Sequence, residues 1–187
     1  MERSLIIDEY NNHILVHIRK TIEYFPLIKV YSIIPLYDYP LFTLSGIAIP
    51  ETYFKRYALN YDDISFNTDK MLKVFVEVPL NYLDIGCKVY DSSKVIDWDR
   101  IPHQHRHFNG SSPYGNELCT HLPEESRDME NPILENIKTA YSLFLESENY
   151  LSTGNWRLKE YSHGDKGKKE YEKTRMLRQT HNRWWVD

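Results

Sequence analysis

Residues 73–90 read KVFVEVPLNYLDIGCKVY, and the fold turns on how that stretch divides. Val74–Val78 is rich in β-branched and aromatic side chains and is stopped by Pro79. The segment NYLDIG then turns the chain, and Lys88–Tyr90 begins a second extended run. Moving toward the N-terminus, Leu41–Ile49 and Ile28–Ile34 have the same character, bounded by Pro35, Pro40 and Pro50. Four strands in succession, joined by short connections, predict an antiparallel meander. Glu51–Lys70 has no clean period and reads as a connection. Ahead of the strands, Ile7, Tyr10, Ile14, Ile18, Thr21 or Ile22, and Phe25 recur at three- and four-residue steps, which predicts a helix over 5–25 that Pro26 ends. Beyond them, Pro132–Thr153 predicts a second long helix. Asn131 is its cap, Pro132 its first residue and Gly154 its stop, with Ile133, Ile137, Ala140 or Tyr141, and Phe144 as its apolar stripe. The expected fold is α+β, two layers, with no internal repeat.

Composition bounds the function. The chain has 187 residues with 23 Lys+Arg against 27 Asp+Glu, a net charge of −4, and 41% of its residues are hydrophobic. That length suits one domain able to bury its own core, and collagen-like and broadly disordered classes are excluded. No run approaches the ~18 consecutive apolar residues of a membrane helix. The start, MERSLIIDEYNNH, is polar and acidic and unlike a secretory signal. A soluble, cytoplasmic protein with no membrane partner is expected. Cys87 and Cys119 are too few for a disulfide framework. Residues 1–154 are acidic and residues 155–187 basic. The acidic body argues against nucleic acid as a partner, because duplex binding needs many phosphate-neutralising contacts. No glycine-rich phosphate loop is present, so neither ATP nor another cofactor is expected.

Periodicity is lost from Ser92 to Pro123, and the chemistry-bearing residues concentrate there: IPHQHRHFNGSSPYGNELCTHLP over 101–123. One reading is a zinc-binding loop made from His103, His105, His107, His121 and Cys119, although the spacing matches no defined finger and such histidines are often simply solvated. Another is a nucleophilic cysteine. Cys119 lies in a loop where imidazoles can stabilise a thiolate, whereas Cys87 at a strand start is expected to be a small buried apolar residue. Asn109 is either an amide donor to a reacting oxygen or half of an Asn109-Gly110 turn. His121 either assists proton transfer or bonds to backbone. His13 and His17, four apart on the first helix, are a metal pair or a solvated face. His163 either folds back toward the cysteine loop or caps a turn, and Trp184-Trp185 is a docking anchor or a surface tuck.

This order of elements, with one cysteine in a long loop, resembles the ubiquitin-conjugating enzyme (UBC-like) family. His107-Phe108-Asn109 is similar to that family's His-Pro-Asn tripeptide, with Phe in place of Pro. Gly115-Asn116-Glu117-Leu118-Cys119 resembles its approach to the catalytic cysteine, after two or three extra residues around Ser111–Pro113. Lys73–Tyr82 resembles its strand, proline and tyrosine segment. Thr153-Gly154-Asn155-Trp156, followed by Ser162-His163-Gly164 and Gly167, looks like the divergent bacterial members found in CBASS-type antiphage operons.

The resemblance implies a UBC-like domain over residues 1–172 with a basic tail over 173–187. It implies a transferase that forms a thioester at Cys119 with a protein C-terminus, with Asn109 and His107 beside it; His121, two residues past the cysteine, is a further candidate from its position alone. The acyl donor implied is a cGAS-like nucleotidyltransferase of an antiviral system. Two alternatives stand next to this: a non-catalytic UBC-like binding module, and the zinc-bound loop. The basic tail, ending in Trp184-Trp185, is expected to dock a protein partner.

Overall fold

The computed structural model describes residues 2–36, 39–57, 59, 68–101, 106–107, 112–120, 123–158, 166, 169, 170, 172 and 173, with backbone alone at 2–11, 32–41, 68, 106–107 and 123–124. Residues 1–156 form one compact unit and residues 157–187 a second. In the second unit the described residues 166, 169, 170, 172 and 173 are helical.

The first unit opens with helix α1 (Glu2–Tyr24), followed by strands β1 (Ile28–Leu36) and β2 (Tyr39–Ile47). Helix α2 (Glu51–Tyr57), strand β3 (Lys73–Pro79), the one-turn helix α3 (Tyr82–Ile85) and strand β4 (Lys88–Asp91) come next. Two short strands, β5 (Arg106–His107) and β6 (Asn116–Leu118), precede a 3-10 segment (Pro123–Asp128) and helix α4 (Pro132–Thr153). The six strands make one sheet in the order β1-β2-β3-β4-β6-β5, antiparallel throughout. The fold is therefore α+β, as the patterning predicts, but among the described residues the sheet has six strands where four are expected. The two extra strands have two and three residues, too short for period-two alternation to reveal.

Three other expectations change. Residues 51–57, read as part of a connection, form α2: a single buried residue, Phe54, carries its packing, so no stripe is visible in the sequence. Lys55 and Glu51 pair along it at 2.8 Å. The NYLDIG turn contains α3. Of the three prolines expected to bound β1 and β2, Pro35 and Pro40 lie inside the strands, opposite each other, and only Pro50 lies beyond the end of β2. Pro40 is beyond the end of β3, whose last pairing is Leu41 with Pro79, so its missing N–H breaks no bond on that side.

One face of the sheet and the two long helices enclose the core. Leu44, Val74, Val76, Val78, Val89 and Leu118 from the strands meet Ile14, Ile18 and Phe25 of α1 and Ile133, Ile137, Ala140 and Phe144 of α4. Each fully buried aliphatic side chain contributes roughly 1.5–3 kcal/mol. Helix α4 begins and ends where its capping residues predict. The Asn131 side chain accepts from Leu134 N–H at 3.1 Å, and Gly154 takes the left-handed conformation, its N–H donating to Tyr150 O at 2.7 Å.

His17 is half-buried rather than part of a solvated face. Its Nδ1 is hydrogen-bonded to the Tyr82 hydroxyl, joining α1 to α3. The main chain at the same residue accepts from Asn131 Nδ2 at 3.0 Å, joining α1 to the cap of α4. Burial, then the charges of His13 and Lys20, hold the His17 pKa below 6.5, with Glu130 opposing them. The unfolded chain therefore takes up this proton first. The contribution of the neutral ring is fully present above pH 6.5 and is lost as pH falls from there through the lower folded value. Chemical denaturation of the parent should show stability declining over that window, and His17→Gln should flatten the decline. An unchanged pH slope in the variant would assign the acid sensitivity to other groups.

Candidate functional site

Cys119 is positioned by what flanks it. Leu118 pairs with Val89 of β4 and Arg106 of β5 and is buried in the core. Strand alternation puts Glu117 on the opposite face of β6 from Leu118, and Cys119, the first residue after the strand, is half-buried. On the other side, Thr120 is buried and its hydroxyl donates to Asn136 Oδ1 on α4. The Asn136 amide in turn donates to Pro132 O at 2.6 Å. The cysteine thus sits between two anchors, one apolar and one hydrogen-bonded. Thr120 and Asn136 escaped the sequence reading, because a residue after a loop cysteine and an Asn inside a helix carry no local signal of a mutual bond.

The thiol is half-buried and its surroundings hold it protonated. Burial raises its pKa above the ordinary 9.0, and the carboxylates of Glu125 and Glu117 push in the same direction. This is a stable thiol rather than a spontaneous thiolate. Cys87 differs in kind: it is buried in the core, and desolvation drives its pKa far up.

The β5–β6 ladder places His107 opposite Glu117 and Arg106 opposite Leu118. This sets the backbone at His107 beside the approach to Cys119. For His107 the backbone alone is described, and Asn109 and His121 lie outside the described residues, as do His103, His105, His163 and Trp184-Trp185. Among the described residues no group of three or more His, Cys, Asp or Glu side chains is placed to hold a metal ion, and no helix is long and apolar enough to cross a membrane.

Thiol alkylation should follow these environments. Cys119 should react at least about tenfold faster than Cys87, and its rate should keep rising through pH 9 without a plateau. Glu125→Gln should lower the Cys119 pKa and speed alkylation at pH 7.5 by roughly two- to tenfold. Faster labelling of Cys87, or a slower Glu125→Gln variant, would reverse the assignment.

Comparison with known proteins returns no matching family model, curated protein or solved structure.

Proposed function

We propose that the chain is a ubiquitin-conjugating-like transferase that carries the C-terminal acyl group of another protein as a thioester on Cys119. The observation that carries this reading is the placement of Cys119: half-buried immediately after β6, pinned by Leu118 before it and by Thr120 to Asn136 after it. Its support from the chain as a whole is the order of elements. A helix, four strands paired in succession and, after the segment that carries the cysteine, a long helix follow one another in the order the family resemblance implies, with β5 and β6 lying where the resemblance implies a loop.

The chemistry suits a carrier. The Cys119 sulfur attacks the carbonyl carbon of an activated C-terminus. The C–S bond forms as the bond to the donor's leaving group breaks, and the thiol proton leaves with that group or to water. An amine then attacks the same carbon, the C–S bond breaks, and the sulfur regains a proton. A thiol of raised pKa is a poorer leaving group, so the thioester persists until an acceptor arrives. The donor proposed is a cGAS-like nucleotidyltransferase of an antiphage system.

Intact-mass measurement after co-expression with such a partner tests the proposal. The expected result is an adduct of partner mass that hydroxylamine or excess thiol removes. If the Asn109 amide stabilises the tetrahedral oxyanion, Asn109→Ala should slow transfer by roughly a hundredfold while leaving partner affinity near the parent's. Asn109→Asp matching the parent in transfer would reduce Asn109 to a turn residue. A second reading, a non-catalytic binding module of the same fold, is favoured by the protonated, half-buried state of the thiol. It is the reading that survives if partner binding is measurable and no labile adduct forms.

A further inference from the structure

The face of the sheet opposite the helices carries a built cleft. Phe75 and Tyr90, partners across β3 and β4, belong to this face rather than to the core. The turn 112–115 folds over them and stacks Tyr114 on Phe75, with 4.1 Å between ring centroids and 8° between planes. Tyr114 N–H donates to Ser112 Oγ at 3.2 Å, and Gly115 N–H to Ser112 O at 3.3 Å. The turn approaches β4 so closely that a Cβ on Gly115 would lie 2.2 Å from Asp91 O, and its φ of +115° also demands glycine. On the opposite wall, the register shift between Val30 and Ser32 leaves Tyr31 out of the pairing. Tyr31 is 74% exposed, its ring edge-on to Phe75 at 6.3 Å.

Between these walls is an open space of about 500 Å³. That is within the roughly 300–1,000 Å³ of small-molecule sites. Its polar groups favour one sign of charge. Ser45 and Ser112 present hydroxyls, the Ser92 hydroxyl being given to Lys73 O at 3.0 Å, Lys94 presents an ammonium, and among the described residues no carboxylate lines the cleft although the chain is net acidic. Lys94 has no ion-pair partner among the described residues. Its backbone is held in the left-handed region, φ 56°, by its N–H bond to Asp91 Oδ1 at 2.8 Å.

We propose that this cleft binds a planar aromatic ring bearing an anionic group, of about mononucleotide size. The ring lies against the tyrosine walls, and Lys94 with the Ser45 and Ser112 hydroxyls receives the anion. This inference rests on the cleft alone and stands apart from the chemistry at Cys119.

Titration calorimetry of the full chain tests it, with adenosine 5′-monophosphate, adenosine and inorganic phosphate as separate probes. The monophosphate should saturate with a Kd at or below about 1 mM. Adenosine should bind more weakly, and phosphate alone should give no measurable heat. Tyr31→Thr should weaken the monophosphate by about tenfold or more, the scale of one lost stacking contact. Lys94→Asn, whose side chain tolerates the left-handed backbone, should bring the monophosphate down to adenosine's affinity and leave adenosine unchanged. Both changes are at exposed positions, and parent-like melting confirms that the variants fold. The proposal is overturned by absence of saturable monophosphate binding, by phosphate competing as strongly as the monophosphate, or by both variants binding like the parent.

Discussion

A Cys119→Ala protein is expected to fold like the parent and to form no partner adduct, a loss of at least about a thousandfold in adduct yield. The two halves of that result have different physical origins. The thiol is half-buried and outside the hydrophobic core cluster, so its removal costs no more than about 1 kcal/mol. The neighbouring anchors, Leu118 in the core and Thr120 on Asn136, do not depend on it. Sulfur is nevertheless the only atom at that position able to hold an acyl group, so the chemistry is lost with it. Cys87→Ala should show the reverse pattern. Its thiol is part of the core, so the change should cost about 1–2 kcal/mol while adduct formation persists. Melting curves and intact masses on the two variants separate the roles. An adduct that survives Cys119→Ala removes the catalytic assignment, and an unfolded Cys119→Ala protein marks the residue as structural.

The second large effect is on stability. Asp91→Ala should destabilise the protein by about 3 kcal/mol, which lowers the melting temperature by about 6–12 °C in a chain of this size. Asp91 ends β4 with its carboxylate fully buried. Oδ1 accepts from Ser93 Oγ and from Lys94 N–H, both at 2.8 Å, and Oδ2 accepts from Ile96 N–H at 3.3 Å. Burial pushes its carboxyl above the ordinary 3.8, while the hydrogen bonds from Ser93 and the backbone amides of Ile96, Lys94 and Val95 pull the other way. Alanine would leave the buried Ile96 N–H and the part-buried Ser93 and Lys94 donors without this acceptor, and the chain from β4 toward Ile96 and Trp98 would lose its tether. Asp91→Asn keeps one acceptor oxygen and should lose less. A melting temperature for Asp91→Ala within about 2 °C of the parent would show that the turn holds without the carboxylate.

What the sequence by itself determined is the set of features with local causes. Helix α4 was legible to the residue because its apolar period, its Asn131 cap and its Gly154 stop are all neighbours in the chain. The apolar stripe of α1 was legible for the same reason: Ile14, Ile18, Thr21 and Phe25 are buried as their spacing predicts. The first four strands were legible as runs, and Cys87 as a buried residue distinct from Cys119. Only the tertiary structure decided the features that depend on distant partners or on very short elements. Strands β5 and β6 exist because β4 offers an edge to pair with, and α2 because Phe54 finds a buried site. His17 was read as solvated because its partner, Tyr82, is 65 positions away. The imidazole side chains expected beside the Cys119 thiol lie outside the described residues, and burial, Glu125 and Glu117 raise its pKa. Its tether through Thr120 to Asn136 and the aromatic cleft behind the sheet likewise arise from residues brought together across the fold. Hydrogen bonds and field effects act through space, over distances that sequence separation does not encode, whereas periodicity and capping act along a single turn or strand of backbone.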